Sequence, residues 1–259
     1  MSNDDAAALW EANAETWTQH VRAGHDVYRD RHNTPAFVAM LPPIAGLHGL
    51  DIGCGEGENT RTLAKLGAHM SAIDVAPTFV QHAAAVEEAA PLGIRYGVAS
   101  AVALPFADAS FDFATAFMSL MDVADAWSAL REAHRVVRPG GFLQFSILHP
   151  CFAPPLRRVQ RDEHRVAYAV EVGRYFDRTP FIEEWQFSDA PPAVRAASRP
   201  FRVMFIQRTM ADWINALVEI GWTIERMGEP SATEEEAAAC PPIADTRVVP
   251  LFLHLRVRR

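Results

Sequence analysis

Two rhythms of apolar and polar positions alternate along the first part of the chain. Leu47 to Ile52, Met70 to Val75, Ile94 to Val98 and Phe111 to Met118 are short apolar runs of strand length. Between them, Glu58 to Leu66, the stripe Phe79, Val80, Ala83, Val86, and the face Trp127, Leu130, His134, Val137 repeat at helical spacing. Arg138-Pro139-Gly140-Gly141 stops the last of these helices, and Phe142 to Leu148 follows as a near-continuous apolar run suited to a strand covered on both faces. This βαβ alternation predicts a parallel sheet with helices on both sides, right-handed crossovers and a ligand crevice at the carboxyl ends of the strands.

After Pro150 the rhythm breaks. Pro154-Pro155, Pro180, Pro191-Pro192 and Pro200 punctuate a stretch in which Val166, Tyr168, Val170 and Val172 alternate with other residues, which predicts a β-rich insertion with a hairpin flap over residues 151–200. Helical spacing returns at Met210, Trp213, Ile214, Leu217 and Val218, Gly221 ends that helix, and strands are predicted from Trp222 to Met227 and from Val248 to Val257. Ahead of the first strand, Ala6 to His20 reads as a helix with Trp10 and Trp17 on one face, either packed across a sheet edge or serving as a lid. One domain over 1–259 is expected, with a helical cap (1–45), a core (46–150), the insertion (151–200) and a C-terminal part of the sheet (201–259).

Composition narrows the function. Asp and Glu number 32 against 24 Lys and Arg, a net charge of −8, which argues against a protein that neutralises nucleic-acid phosphates. Cys54, Cys151 and Cys240 lie far apart without a C-x-x-C pair, so neither a disulfide framework nor a metal site is expected, and a reducing cytoplasm fits. The acidic start Met1-Ser2-Asn3-Asp4-Asp5 differs from the basic start of a signal peptide, and no apolar run reaches membrane-spanning length. No feature specifies an oligomeric state.

Chemistry concentrates in Asp51-Ile52-Gly53-Cys54-Gly55-Glu56-Gly57, at the turn from the first strand into the first helix, where glycine lets backbone approach a ligand. A dinucleotide fingerprint wants G-x-G-x-x-G, whereas here the glycines run G-x-G-x-G and the dinucleotide position is Glu58. Carboxylates at Glu56 and Glu58 would repel a pyrophosphate on the helix N-terminus. Asp74, closing the second strand, can accept hydrogen bonds from both hydroxyls of a ribose, so the ligand reads as a nucleoside without a diphosphate.

Leu50-Asp51-Ile52-Gly53-Cys54-Gly55-Glu56-Gly57, Asp74, Leu104-Pro105-Phe106 with Ser110-Phe111-Asp112, and Arg138-Pro139-Gly140-Gly141 together resemble the class I S-adenosylmethionine-dependent methyltransferases of the small-molecule type called type 11. The resemblance covers roughly residues 47 to 149, and the later helix and strands look like the family's C-terminal end. It implies a Rossmann-like, doubly wound α/β fold with a seven-stranded sheet whose last strand is antiparallel. It implies S-adenosylmethionine as cofactor, with Gly53, Cys54, Gly55 and Gly57 under its methionine and ribose and Asp74 on the ribose hydroxyls. Asp51 would orient the loop or meet the amino group, Val75 would flank the adenine, and Phe117 and Met118 would lie near the sulfonium. The family often places an acidic residue before Leu-Pro-Phe to meet the adenine amino group; here Ala99-Ser100-Ala101-Val102 leaves that contact to the Ser100 hydroxyl or the Ala101 backbone.

Methyl transfer is a displacement, so the protein aligns the acceptor, excludes water and removes a proton where the acceptor is a hydroxyl. His149, directly after the fifth strand, is the candidate base, the alternative being a hydrogen-bonded pocket wall; His20 and His25 are weaker candidates. Cys54 lacks a paired histidine and reads as a small residue under the loop. Trp17, Tyr28, Tyr168 and Trp185 are expected around a small-molecule acceptor, and O-methylation is favoured. Two other functions fit the pattern less well, a nicotinamide-dependent oxidoreductase and a non-catalytic cofactor-binding module.

Overall fold

Ser2 and Asp5 cap each other's backbone at the start of α1 (Asn3–Arg22), and Asp4 and Asp5 lie in the first turn, where a helix favours acidic groups. The computed structural model describes all residues, Met1–Arg259. A π-helical turn, Arg29–Asn33, leads into α2 (Thr34–Met40), an element that the apolar pattern does not announce. The alternating core follows: β1 (His48–Ile52), α3 (Glu58–Lys65), β2 (His69–Asp74), α4 (Pro77–Ala89), β3 (Arg95–Val98), β4 (Phe111–Phe117), α5 (Ala126–Val136) and β5 (Val137–Leu148).

The expected gap between helix and strand at Arg138–Gly141 is instead a bulge within β5. Val137 pairs with Phe111, and pairing resumes at Phe142 with Phe113. A Cβ on Gly141 would stand 2.4 Å from the Asp112 carbonyl oxygen, so only glycine lets the two strands approach there.

The insertion contains two ribbons where one was predicted. β6 (Leu156–Arg161) and β7 (Ala167–Gly173) form the expected hairpin. β8 (Phe181–Trp185) pairs antiparallel with β9 (Phe201–Phe205), across a connection holding the short α6 (Pro192–Ala197), so the inserted structure runs past Pro200. Thr209 and Asp212 form a capping box on α7 (Met210–Ile220), and Gly221, at φ 106°, ends it. β10 (Thr223–Gly228), α8 (Glu234–Ala239) and β11 (Phe252–Arg258) complete the chain. The exposed Glu234–Glu236 run is the first turn of α8, capped by Thr233. β11 starts later than predicted because a 3₁₀ turn occupies Pro241–Arg247 and Pro250 has no N–H to give a ladder.

The seven-stranded sheet has the order β10-β11-β5-β4-β1-β2-β3. β1 is parallel to β2 and β4, β2 to β3, and β4 to β5, whereas β11 is antiparallel to both β5 and β10. The strand order reverses between β1 and β4, which puts a crevice at their carboxyl ends. One face packs Leu143, Phe145 and Ile147 with Leu130, Trp213 and Leu217; the other joins Phe113 and Phe142 to Leu63, Met70 and Ile44. Each fully buried Leu, Ile or Phe contributes about 1.5–3 kcal/mol.

α1 crosses from the sheet to the insertion. Glu11 accepts hydrogen bonds from Thr78 on α4, and Asn13 makes a two-way amide contact with Arg202 on β9 (2.9 and 3.3 Å). Trp17 packs against Trp10, Trp185, Phe187 and Phe201 at centroid distances of 5.0–5.4 Å. Truncation of Trp17 to Ala opens this cluster and should lower stability by about 2–4 kcal/mol, the lower part of the usual large-to-small range because the ring is only half-buried. Urea unfolding measures this loss, and limited proteolysis should cut the variant first between α1 and α2.

Candidate cofactor and acceptor site

The sheet's carboxyl edge opens into a cavity of about 560 Å³, within the range of small-molecule pockets. It is lined by the β1–α3 loop, the ends of β2, β4 and β5, residues from α1 and 25–33, and the β8–β9 ribbon.

The loop is held from below. Gly53 and Cys54 both donate their N–H to the Ile73 carbonyl (2.8 and 2.9 Å), which draws the loop over the end of β2. Gly53 sits at φ 74°, and a Cβ there would stand 2.4 Å from the Ser119 Cβ. Gly55, at φ 55°, has no atom near its missing Cβ, so bare backbone faces the cavity. Gly57 does not face it: its missing Cβ points at the Tyr96 hydroxyl, 2.7 Å away. Asp51 also lies off the cavity, buried, accepting from the hydroxyls of Thr60 (2.6 Å) and Thr115 (2.9 Å). Of its two expected roles the structure supports orienting the loop. Burial raises its carboxyl pKa, and the two hydroxyls oppose that.

Asp74 lines the cavity with its carboxylate anchored at both oxygens, accepting from Gly55 N–H (2.8 Å) and Ala76 N–H (2.9 Å). Each oxygen keeps a lone pair for a further donor. Burial pushes this carboxyl up to about 6, against the pull of the backbone donors. Val75 is over a third exposed beside it, and Ser100, Ala101, Phe117 and Met118 line the same cavity. Met118 holds a left-handed backbone (φ 54°), with its N–H on the Ser146 carbonyl (2.9 Å). A bare glycine cradle, an anchored acceptor for adjacent hydroxyls and an apolar side chain next to it fit a nucleoside.

Repulsion by Glu56 is weaker than its sequence position suggests. Glu56 is buried and paired with Arg61 (3.0 Å) and Arg22 (3.1 Å), and Arg61 also holds Glu58 (2.7 Å). The loop therefore carries two acids and two guanidiniums. Cys54 lines the cavity as a small side chain, and burial with the Asp74 and Asp51 charges pushes its thiol far up, which makes it a poor nucleophile.

His149 is not in the cavity wall. It is buried, with Nε2 2.8 Å from Glu229 and Nδ1 accepting the Cys151 N–H (3.1 Å), so both ring nitrogens are engaged and neither is available to an acceptor. Burial lowers its pKa, only partly offset by Glu229. His25 lines the cavity, and His20 is buried against it with the ring nitrogens 3.2 Å apart. Trp17, Tyr28 and Trp185 line the cavity; the Tyr28 hydroxyl is spent on the Pro242 carbonyl (2.6 Å) and Asp245 (2.9 Å). Tyr168 does not, since it stands 64% exposed on the outer hairpin. Alternation alone cannot tell which face of a hairpin meets the rest of the protein.

Several cavity residues escape the sequence pattern: Asp26, Asn33, Asp122, Glu183 and Arg208. Asp122 carries the one available signal, an acid in an otherwise apolar stretch, Leu120-Met121-Asp122-Val123, directly after a core strand.

Residues 50–145 match the family model described as a methyltransferase domain. The chain is 34% identical over 156 residues to the 27-O-demethylrifamycin SV methyltransferase of Amycolatopsis mediterranei, covering 59% of this chain and 56% of that one. It is 36% identical over 119 residues to a ubiquinone biosynthesis O-methyltransferase of Methylobacterium sp., 46% of this chain and 45% of that one. These matches span about half the length of the curated relatives. A solved S-adenosylmethionine-dependent methyltransferase from Mesorhizobium loti superimposes with a TM-score of 0.69 at 28% identity, over 87% of this chain and 96% of that one. Sheet order, glycine loop, terminal Asp74 and these matches agree: residues 50–145 match a methyltransferase domain, set in a fold shared with a solved S-adenosylmethionine-dependent methyltransferase.

Proposed function

We propose that this chain transfers a methyl group from S-adenosylmethionine to an oxygen of a small organic acceptor. The observation that carries the reading is the pairing, in one cavity, of the Gly55–Asp74 cradle with an aromatic chamber under the β8–β9 ribbon. O-methylation is supported by the names of the relatives, which act on oxygen. A small acceptor is supported by the segments that crowd the cavity, α1, residues 25–33 and the ribbon. No helix is long and apolar enough to cross a membrane, and the spaced, free cysteines support a cytoplasmic setting.

When bound, S-adenosylmethionine supplies a methyl group on a positively charged sulfur. The protein's own part is to hold and to align. Asp74 takes the ribose hydroxyls, Val75, Ser100 and Ala101 border the base, and Gly53, Cys54 and Gly55 leave room for the amino-acid end. Phe117 and Met118 border the reacting end, while Trp17 and Trp185 exclude water from the acceptor side. A nicotinamide dinucleotide fits less well, because Glu58 is the first residue of α3 and sets a carboxylate where the pyrophosphate would sit.

Calorimetry tests this reading: S-adenosylhomocysteine should bind and NADH should not, and the reverse result overturns it. Asp74→Asn should weaken S-adenosylhomocysteine binding about tenfold or more, the effect of losing hydrogen bonds to a charged acceptor. Because the Asp74 pKa is raised to about 6, wild-type affinity should hold above that pH and fall as pH drops through it, when the carboxylate gains a proton. The Asn variant should show no such step. His149→Gln, by contrast, should leave S-adenosylhomocysteine affinity within about twofold and cost about 1 kcal/mol of stability through the Glu229 and Cys151 contacts. A large loss of affinity would place His149 at the cofactor.

A further inference from the structure

We infer that Asp122 is the group that takes the proton from the methylated oxygen, and that the chamber it faces admits an uncharged hydroxyl-bearing molecule and turns anions away. This rests on the methyl-transfer reading above. Asp122 ends the 3₁₀ turn Leu120–Asp122, a few residues past Phe117 and Met118, and lines the cavity between those residues and the β8–β9 ribbon. Its carboxylate makes no hydrogen bond or ion pair with the protein. Arg208, which could neutralise it, is committed elsewhere: its guanidinium donates to the carbonyls of Met121 (2.9 Å), Val123 (2.6 Å) and Ala124 (2.9 Å) and lies over the rings of Trp127 and Trp213. Arg208 thus fixes the turn that presents Asp122 and leaves the carboxylate free to face a ligand.

The charged groups acting on Asp122 are Arg208 and Glu183, while the nearby Asp125 carboxylate, at the N-cap of α5, is taken by the Ser128 N–H and hydroxyl. Glu183, on β8, lines the same cavity and is likewise without a hydrogen-bond or ion-pair partner. Once Asp122 is ionised, an anionic acceptor would meet two carboxylates at this end of the cavity, whereas a neutral hydroxyl finds an acceptor for its proton. Burial, the largest effect, pushes Asp122 up to about 8, with Arg208 pulling it down and Glu183 pushing it up, and a base in that range is matched to proton transfer near neutrality.

A second observation points to a polar ligand in this cavity. Asn33 is 1% exposed and lines it. Its Oδ1 is taken by Ser146 Oγ (3.1 Å) and His254 Nε2 (2.6 Å), and its Nδ2 donates to nothing in the protein. Burial lowers His254 to about 4, so the ring is neutral and holds the amide in place without adding charge. Ser146 Oγ also touches Met118 Sδ (3.5 Å), so the hydroxyl that holds Asn33 Oδ1 reaches the residue assigned to the reacting end as well.

The step balances. The acceptor oxygen bonds to the methyl carbon as the carbon–sulfur bond breaks, its electron pair staying on sulfur and cancelling the positive charge, and the hydroxyl proton passes to an Asp122 oxygen, leaving a neutral acid.

The test uses full-length protein saturated with S-adenosylhomocysteine, with p-cresol and benzoate as probes followed by tryptophan fluorescence. Wild-type affinity for p-cresol should rise as pH passes upward through about 8, where Asp122 loses its proton. Asp122→Asn should bind p-cresol without that dependence. At pH 9, where Asp122 is ionised, benzoate should bind the wild type at least about tenfold more weakly than p-cresol, and the gap should narrow in Asp122→Asn and in Glu183→Gln. Carbon-13 NMR of labelled aspartates should show one resonance titrating near pH 8 that vanishes in Asp122→Asn. The inference is overturned by absent or pH-independent p-cresol binding to the wild type, by equal binding of benzoate, or by an Asp122 resonance titrating near the ordinary carboxyl value of about 4. S-adenosylhomocysteine affinity should stay within about twofold in Asp122→Asn. Failure of the wild type itself to bind S-adenosylhomocysteine overturns the methyl-transfer reading instead.

Discussion

The Asp51 carboxylate, closed off from water, joins three elements of the core at one point. It stands on β1, accepts the hydroxyl of Thr60 from α3 and accepts the hydroxyl of Thr115 from β4. A buried charge is tolerable only when its lone pairs are met, so this contact fixes where α3 begins relative to β1 and β4. The loop between β1 and α3 then has little freedom. It must cross the end of β2, where the Ile73 carbonyl takes two of its N–H groups and Asp74 takes a third. The cofactor cradle is therefore a consequence of how the strands are tied together beneath it.

The acids around this cavity divide by whether the protein satisfies them. Asp51 has two hydroxyls, Asp74 has two backbone N–H groups, and Glu56 has two guanidiniums. These carboxylates shape the site. Asp122 and Glu183 have no partner although burial raises both. A protein keeps such groups at a cost in stability, since each charge is desolvated without compensation, and that cost is offset where a ligand donor arrives. The division follows the cavity itself: Asp51, Asp74 and Glu56 lie at the β1 and β2 ends, and the unpartnered Asp122 and Glu183 lie toward the ribbon.

The core was legible because period dictates burial there. Strands covered on both faces, such as β4 and β5, need continuous apolar runs, and the α5 and α7 stripes mark the helices that cover them. The glycine loop and Asp74 were legible because backbone geometry restricts which residues can stand there. Elsewhere the rules are silent. The β8–β9 ribbon joins segments separated by α6, a pairing that no local pattern announces. Tyr168 has the right alternation on the wrong side of its hairpin. His149 follows a core strand as a crevice residue should, yet Glu229, eighty positions onward, draws its ring into a buried pair. Contacts of that separation are set by the fold as a whole, and a single sequence does not display them.

The aromatic cluster around Trp17 links the two ends of this division. Trp17 touches Trp10, which packs on Phe79 of the cofactor-side helix α4, and also Trp185 and Phe201 of the ribbon. Glu183 lies two residues before Trp185, so its face of β8 is set by the same packing. The turn bearing Asp122 rests on β9 and is gripped by Arg208, three residues past the end of that strand. Packing thus runs continuously from α1 through the ribbon to Arg208 and the Asp122 turn. α1 therefore touches both sides of the cavity, through Arg22 on Glu56 of the glycine loop and through Trp17 on the ribbon. The loop side of the cavity is thus held by hydrogen bonds to the sheet, and the ribbon side by aromatic packing outside it.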